Sequence, residues 1–294
     1  MFGLLNPSFL QEMNQIADYE NININFTSSQ TLGQRITQED RYLIINLYFG
    51  TLAVICDGHR SGITSESVIL NIPTFINEEY KLVMRKIGTV SNITINIEKQ
   101  ILRNIFKKLH QLTSNDESGT TVSMLMIRPI ARDENKQRRI RLAIATIGDS
   151  PLTVFDKKKY VHMPLHSAEY YLPDRHRIEK NKLGFIENGY LYSNKLHRRS
   201  GGIAMSRALG DAKFNSVLSR KPAIKCFDIS TNAKIILCSD GVLNSSEPIK
   251  AKATMRHLIK KMCDGVTAQE MLSDLGKTHD NSTLICVSFR EPNV

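Results

Sequence analysis

Long apolar runs are missing from this chain of 294 residues, and none approaches the ~18 residues of a membrane span. The N-terminus, Met1-Phe2-Gly3-Leu4-Leu5, lacks a basic flank and meets Gln11 and Glu12 too soon for a signal sequence. A protein that stays off membranes, in the cytoplasm and/or nucleus, is expected. The five cysteines (Cys56, Cys226, Cys238, Cys263, Cys286) form no CxxC pair, which excludes a zinc finger; three sit inside apolar strand-like runs, so reduced core thiols are expected. No Pro/Ser/Gly-rich linker interrupts the sequence, and one domain over 1–294 is the simplest division. Aromatic residues do not interleave with the basic clusters, as an RNA-binding platform requires, and no helix-turn-helix pattern stands out.

Acidic residues are the minority among charges, leaving a net charge of +10 and a pI near 9.4. An acidic partner follows, either a phosphorylated protein or a nucleic acid. The cations fall in short clusters, Lys157-Lys158-Lys159, Arg138-Arg139-Ile140-Arg141 and His197-Arg198-Arg199. The first two lie where hairpin turns are expected and read most simply as solvated turns.

Two short apolar runs, Leu52-Ala53-Val54-Ile55-Cys56 and Ile235-Ile236-Leu237-Cys238-Ser239, each end on Asp-Gly, at Asp57-Gly58 and Asp240-Gly241. Such a run closed by Asp-Gly reads as a buried strand that leaves a carboxylate at the sheet's edge, although Asp-Gly is also an ordinary turn pair. Asp280-Asn281 precedes a third run, Thr283-Leu284-Ile285-Cys286-Val287, and places a carboxylate at that strand's beginning. Hairpins are predicted for 42–56, 121–147 and 152–163. Ile97, Ile101, Ile105, Phe106, Leu109 and Leu112 recur at helical spacing; a second helix is predicted over about 250–262 and a third from Thr267, with Glu270 completing a capping box. Strands and helices in separate blocks favour an α+β fold.

Six motifs occur in an order that resembles the metal-dependent protein serine/threonine phosphatases, the PPM or type-2C family. They are Gly33-Gln34-Arg35 through Gln38-Glu39-Asp40, Asp57-Gly58-His59, Ser118-Gly119-Thr120-Thr121, Gly148-Asp149-Ser150, the stretch Gly201-Gly202-Ile203-Ala204-Met205-Ser206-Arg207-Ala208-Leu209-Gly210-Asp211, and Ser239-Asp240-Gly241 followed by Asp280-Asn281. The resemblance spans about residues 30–290. It implies a four-layer αββα sandwich, two central antiparallel sheets flanked by helices, with a metal site at one end.

The resemblance implies two Mg²⁺ or Mn²⁺ ions, with Asp57 bridging them. Asp240 and Asp280 then complete one ion's ligands, and Glu39 with the Gly58 carbonyl holds the other. Oxygen-only ligation suits these hard ions better than zinc. Two cations and an activated water answer the repulsion that a phosphomonoester presents to a nucleophile, so hydrolysis needs no phosphoenzyme. Glycine at 58 suits close approach of a metal or its water to the backbone.

Arg35 matches the family's phosphate-binding arginine, whose fork grips two oxygens; four residues before Glu39, it shares a face with Glu39 on an extended segment. His59 is either the general acid for the leaving alkoxide or a carboxylate holder. Asp40, Asp149, Asp211 and Asn281 stand as outer-shell or accessory residues, Asp149 being equally a turn cap.

Several positions depart from the family pattern. Arg60 adds a cation that either touches phosphate or faces solvent. Pro151 replaces a usual arginine, and Asn244 replaces the aspartate that often helps bind a third ion, which puts that ion in doubt. A flap over about 166–199, with Tyr170-Tyr171 and Asp174-Arg175-His176-Arg177, is a place to recognise acidic phosphopeptides. Phosphorylated proteins are the expected substrates and a monomer the expected state. A pseudophosphatase serving as a binding module is the first alternative, and a basic nucleic-acid-binding protein is the second.

Overall fold

The computed structural model describes residues 22–130, 138–193, 201–243, 245 and 247–290. The leader reading at Met1–Leu5, the His197-Arg198-Arg199 cluster and Asn244 lie outside the described residues. The strands are β1 (Asn23–Thr31), β2 (Arg41–Leu47), β3 (Gly50–Cys56), β4 (Gly58–His59), β5 (Gly119–Thr120), β6 (Val122–Ile130), β7 (Arg139–Ile147), β8 (Leu152–Asp156), β9 (Lys159–His162), β10 (Phe185–Glu187), β11 (Tyr190–Tyr192), β12 (Leu209–Gly210), β13 (Ala223–Ser230), β14 (Lys234–Cys238) and β15 (Ser282–Arg290). The described helices are α1 (Ile63–Ile87), α2 (Ile95–Thr113), α3 (Leu172–Lys180), α4 (Pro248–Cys263) and α5 (Ala268–Leu275).

Two five-stranded antiparallel sheets dominate, ordered β13-β7-β6-β3-β2 and β1-β15-β14-β8-β9. Their strands read as continuous apolar runs because both faces are buried. Along β3, Leu52, Val54 and Cys56 pack with α1 and α2, whereas Ile55 faces the second sheet. Along β14, Ile235 and Leu237 face the first sheet, whereas Ile236 and Cys238 pack with Met255, Leu258 and Met271 of α4 and α5. The antiparallel sheets and the helices packed on them make the expected α+β fold.

All three predicted hairpins form. The lysine turn reverses through Lys157 and Lys158 at φ 48° and 64°, the left-handed pair that a two-residue hairpin requires. The predicted helices also form, and Thr267 with Glu270 makes the expected capping box. Helix α1 went unread in the sequence. Pro73 lies in its interior, a position that costs about 3 kcal/mol, and Val68, Ile72, Ile76 and Tyr80 offset this by burying one face at four-residue spacing.

Two expectations need correction. Arg139 and Arg141 lie on β7 rather than in a turn, and Arg141 is half-buried against Asp228 of β13 (Nη2–Oδ2 3.1 Å) because that strand pairs alongside. Beside them Arg128 and Glu98 form a buried ion pair (2.8 Å) that fastens α2 to the sheet. Cys263 is exposed at the end of α4, while the other four thiols are buried and free.

Candidate active site

Strand register brings the motifs to one place. Arg41 pairs with Cys56, Ile55 with Ser123, and Val122 with Ile147, so the start of β2, the end of β3, the start of β6 and the end of β7 share one end of the first sheet. Cys238 pairs with Leu284, and Leu237 with Leu152, so the end of β14 and the starts of β15 and β8 share one end of the second. Glu39, Asp40, Asp57, Asp149, Asp240 and Asp280 all lie just beyond these strand ends.

Direct bonds join the two ends. Asp40 is buried, and its Oδ2 accepts from Ser239 Oγ and Thr283 Oγ1, both at 2.7 Å. Asp57 Oδ2 accepts from the Asp240 N–H at 3.3 Å. Asn281 is buried and serves the loop before β2: its Oδ1 accepts from the Glu39 N–H (2.8 Å), and its Nδ2 donates to the Leu32 and Thr37 carbonyls. Ser239 and Thr283 escaped the sequence reading, because a hydroxyl beside a motif aspartate carries no periodicity of its own.

The carboxylates crowd one another. Burial, reinforced by the charges of Asp240, Asp40 and Asp149, holds the Asp57 carboxyl well above the usual range. Burial and then Asp280 raise Asp240. Burial pushes Asp40 up to about 6, against the pull of its two hydroxyl donors, and Asp149 up to about 7. Asp149 Oδ1 is buried without any hydrogen-bond partner. Crowding of this kind favours a cation among the carboxylates. An oxygen-only donor set with an orphaned buried carboxylate oxygen fits hard divalent ions.

Among the described residues no three acidic, His or Cys side chains are already gathered as a metal cage. Asp280 explains part of this, since its Oδ2 is held by Arg35 Nη2 at 2.6 Å. Arg35 reaches it from a segment of turns and bends, not from the extended strand that the four-residue spacing suggested; Gly33 at φ 64° starts the turn. Glu39 stays near Thr37 Oγ1 (3.4 Å) at the edge of the cluster.

His59 joins a different group. Its Nε2 lies 2.7 Å from Oδ2 of the fully buried Asp211, and its Nδ1 has no partner. The short strands β12, β5 and β4 pair in that order, with His59 on β4 and Asp211 one residue past β12: His59 lies opposite Gly119, and Gly119 opposite Gly210. A Cβ at Gly119 would collide with both Asp211 Oδ2 and His59 Nε2, so glycine there makes room for the pair. Gly58 has a packing reason of its own. A Cβ at 58 would meet the Glu39 carbonyl oxygen at 2.5 Å and Ser65 Oγ at 2.7 Å, so protein backbone already fills that space.

Arg60 stays exposed while leaning on protein. It sits at φ 70° with its guanidinium 4.9 Å over the Phe214 ring and 3.8 Å from Asp211 Oδ1. In the flap region, Asp174 is buried and held by Ser206 Oγ (2.9 Å) and Arg207 Nε (2.7 Å), so it fastens α3 to the motif at 201–211 and does not read ligands.

Paired antiparallel sheets that deliver aspartates to one end define the architecture expected of a metal-dependent phosphatase fold. The family model described as Protein phosphatase 2C matches residues 51–280, and the chain belongs to that family. It is 26% identical over 154 residues to a rice protein named probable protein phosphatase 2C 44, covering 50% of this chain and 44% of the relative. A second rice relative, 2C 41, is 28% identical over 155 residues, and the chain spans about half the length of both (51% of this one). Probable protein phosphatase 2C 11 of Arabidopsis thaliana is 24% identical over 293 residues, 93% of this chain and 69% of that protein. Among solved structures, a serine-threonine phosphatase 2C from Toxoplasma gondii superimposes at TM-score 0.69 with 16% identity, covering 92% of this chain and 96% of that one. The catalytic domain of PstP, a serine/threonine protein phosphatase in complex with two manganese ions, matches at TM-score 0.53 with 16% identity over 92% and 99% of the two chains. At these identities the structural matches speak for the fold.

Proposed function

We propose that the protein is a protein serine/threonine phosphatase, a single PPM-type domain that hydrolyses phosphoserine and phosphothreonine. The observation that carries the reading is the tie between two strand ends, Asp57 against the Asp240 backbone, inside a cluster of carboxylates raised by burial and mutual repulsion. Asp57, Asp240, Asp280, Glu39 and the Gly58 carbonyl would hold two Mg²⁺ or Mn²⁺ ions. Such ions supply positive charge for the phosphoryl oxygens and an acidified water that acts on phosphorus directly, without a phosphoenzyme. Arg35, 55% exposed, would release Asp280 and grip two phosphate oxygens with its fork.

His59 would protonate the departing serine or threonine oxygen. Its Nε2 faces Asp211, and its Nδ1, buried and without a partner, is the ring nitrogen left to carry a proton to the leaving oxygen. Asp211 orients the ring, as a buried carboxylate does for a catalytic histidine elsewhere. No described helix is long and apolar enough to cross a membrane. A monomer in the cytoplasm and/or nucleus completes the proposal.

The test is release of phosphate from a phosphothreonine peptide by the purified protein with Mn²⁺. Chelator and Asp57→Asn are each expected to abolish it. Folded protein with Mn²⁺ that turns over no faster than Asp57→Asn would end the enzymatic reading.

A further inference from the structure

Part of the positive charge lies beside an apolar cavity near the carboxylate cluster. A cavity of about 190 Å³ opens between the start of β8, the end of β9, Tyr170-Tyr171 and the first turns of α4. Its walls are mostly apolar, with Pro151, Met163, Leu165, Pro248 and Met255 among them. That volume falls below the ~300–1,000 Å³ of small-molecule sites and suits one bulky side chain. The exposed surface beside it includes Leu172 (69%) and Ile249 (75%).

The rim is basic. Lys252 lines the cavity and, among the described residues, has no carboxylate partner; Arg256, one turn further along α4, lies 5.3 Å over the Tyr160 ring. Lys225 Nζ donates to the His162 carbonyl at 3.1 Å. Burial, followed by the charges of Arg256, Lys252 and Lys225, holds the His162 imidazole down at about 4, which registers the positive field at this spot. The neighbouring carboxylates are engaged, Glu247 with Lys250 at 2.8 Å and Glu169 with Tyr170. His162 Nδ1 lies 2.9 Å from Thr153 Oγ1, and its Nε2 is buried without a partner in the cavity wall.

Position connects this groove to the chemistry. Pro151 follows Asp149 by two residues, so at most ~7 Å of chain separates the groove wall from the carboxylate cluster. Resting on the phosphatase reading, we propose that the groove docks a bulky apolar side chain from an acidic segment of the phosphoprotein substrate, within about three residues of the phosphorylated position. The apolar walls and single-side-chain volume favour a peptide over a nucleic acid, which would need only the rim cations. Pro151 contributes by presenting an apolar surface where an arginine would have repelled the rim.

The experiment compares phosphothreonine peptides that carry Phe between acidic residues with peptides in which that Phe is Ala or the acids are Lys, scanning the three positions on either side. p-Nitrophenyl phosphate, which has no peptide to dock, serves as control. Binding of a fluorescent form of the Phe peptide is followed by anisotropy, independently of turnover. Lys252→Glu is expected to lower kcat/KM for the acidic Phe peptide, and weaken its binding, by about five- to tenfold. Hydrolysis of p-nitrophenyl phosphate should stay unchanged. Tyr170→Ala should act in the same direction and on the same peptide only. Equal kcat/KM for Phe and Ala peptides, or equal loss on the control substrate in Lys252→Glu, overturns the proposal. So does displacement of the peptide by a single-stranded oligonucleotide together with indifference to the Phe, which would mark a purely ionic surface. If no substrate turns over but the acidic Phe peptide binds and Lys252→Glu weakens it, the phosphatase reading fails and the groove stands.

Discussion

Gly119→Ala is a single-methyl test of how His59 works. The added Cβ falls inside contact distance of both Asp211 Oδ2 and His59 Nε2. The backbone cannot retreat, because Gly119 is paired on one side with His59 of β4 and on the other with Gly210 of β12. The histidine and the carboxylate must therefore part. A hydrogen bond to a charged group contributes about 1.5–3 kcal/mol, and 1.4 kcal/mol corresponds to a factor of ten, so loss of the His59–Asp211 contact costs roughly 10- to 100-fold in holding the ring in place. We expect kcat on a phosphothreonine peptide to fall by about that factor in Gly119→Ala, since an alkoxide departs poorly without a proton. p-Nitrophenolate is a stable leaving group, and its phosphate ester should lose less than about threefold. Adding Gly119→Ala to His59→Ala should then cost little more than His59→Ala alone. Wild-type kcat on the peptide in folded Gly119→Ala protein would refute the reasoning; equal loss on both substrates would assign the glycine to folding of the three short strands instead.

Arg35→Lys is expected to raise KM for phosphopeptides several-fold while leaving the fold's melting temperature in place, because lysine offers a point charge where a fork is needed; unchanged KM would dismiss Arg35 as a phosphate contact. Asp174→Ala removes a buried acceptor from Ser206 and Arg207 and should destabilise by about 3 kcal/mol, read as a drop of roughly 6–12 °C in Tm. His166 is fully buried, with Nδ1 donating to the Gly148 carbonyl, and burial followed by the charge of Arg207 holds it down at about 3. Below about pH 6.5 the unfolded chain takes up a proton that the native ring refuses until about 3, so stability falls in that window by up to ~1.4 kcal/mol per pH unit. His166→Asn keeps a donor for Gly148 and should move the midpoint of acid unfolding to lower pH; an unchanged midpoint would show that the ring does not govern it.

What the sequence revealed depended on how each signal is written. Strand ends such as Asp57 and Asp240 were legible because an apolar run followed by Asp-Gly is a local pattern, and register then placed them together without further help. Helix α1 was hidden although Val68, Ile72, Ile76 and Tyr80 repeat every fourth residue, since Pro73 and the polar residues Asn71, Thr74 and Asn77 break the stripe in a linear reading. Arg141 looked like a turn cation because its partner, Asp228, comes from another strand. Gly58 shows the same limit at the site: its glycine was anticipated, but the Glu39 carbonyl and Ser65 hydroxyl that demand it are fixed only by tertiary packing. The exposed Cys263 missed its expectation because the last turn of an amphipathic helix can face either way.

The buried bonds from Ser239 and Thr283 to Asp40 link residues 199 and 243 positions apart. Contacts of such sequence separation form late, after the loops they close have been ordered. During synthesis, the carboxylate cluster therefore stays open until β15 has emerged and paired with β14. A chain ending at residue 279 should retain the first sheet's motifs yet bind no Mn²⁺ in a calorimetric titration. On the proposed phosphatase reading, unfinished copies would lack a complete site, so the order in which the ribosome delivers the strands would hold back the chemistry until the chain is nearly whole.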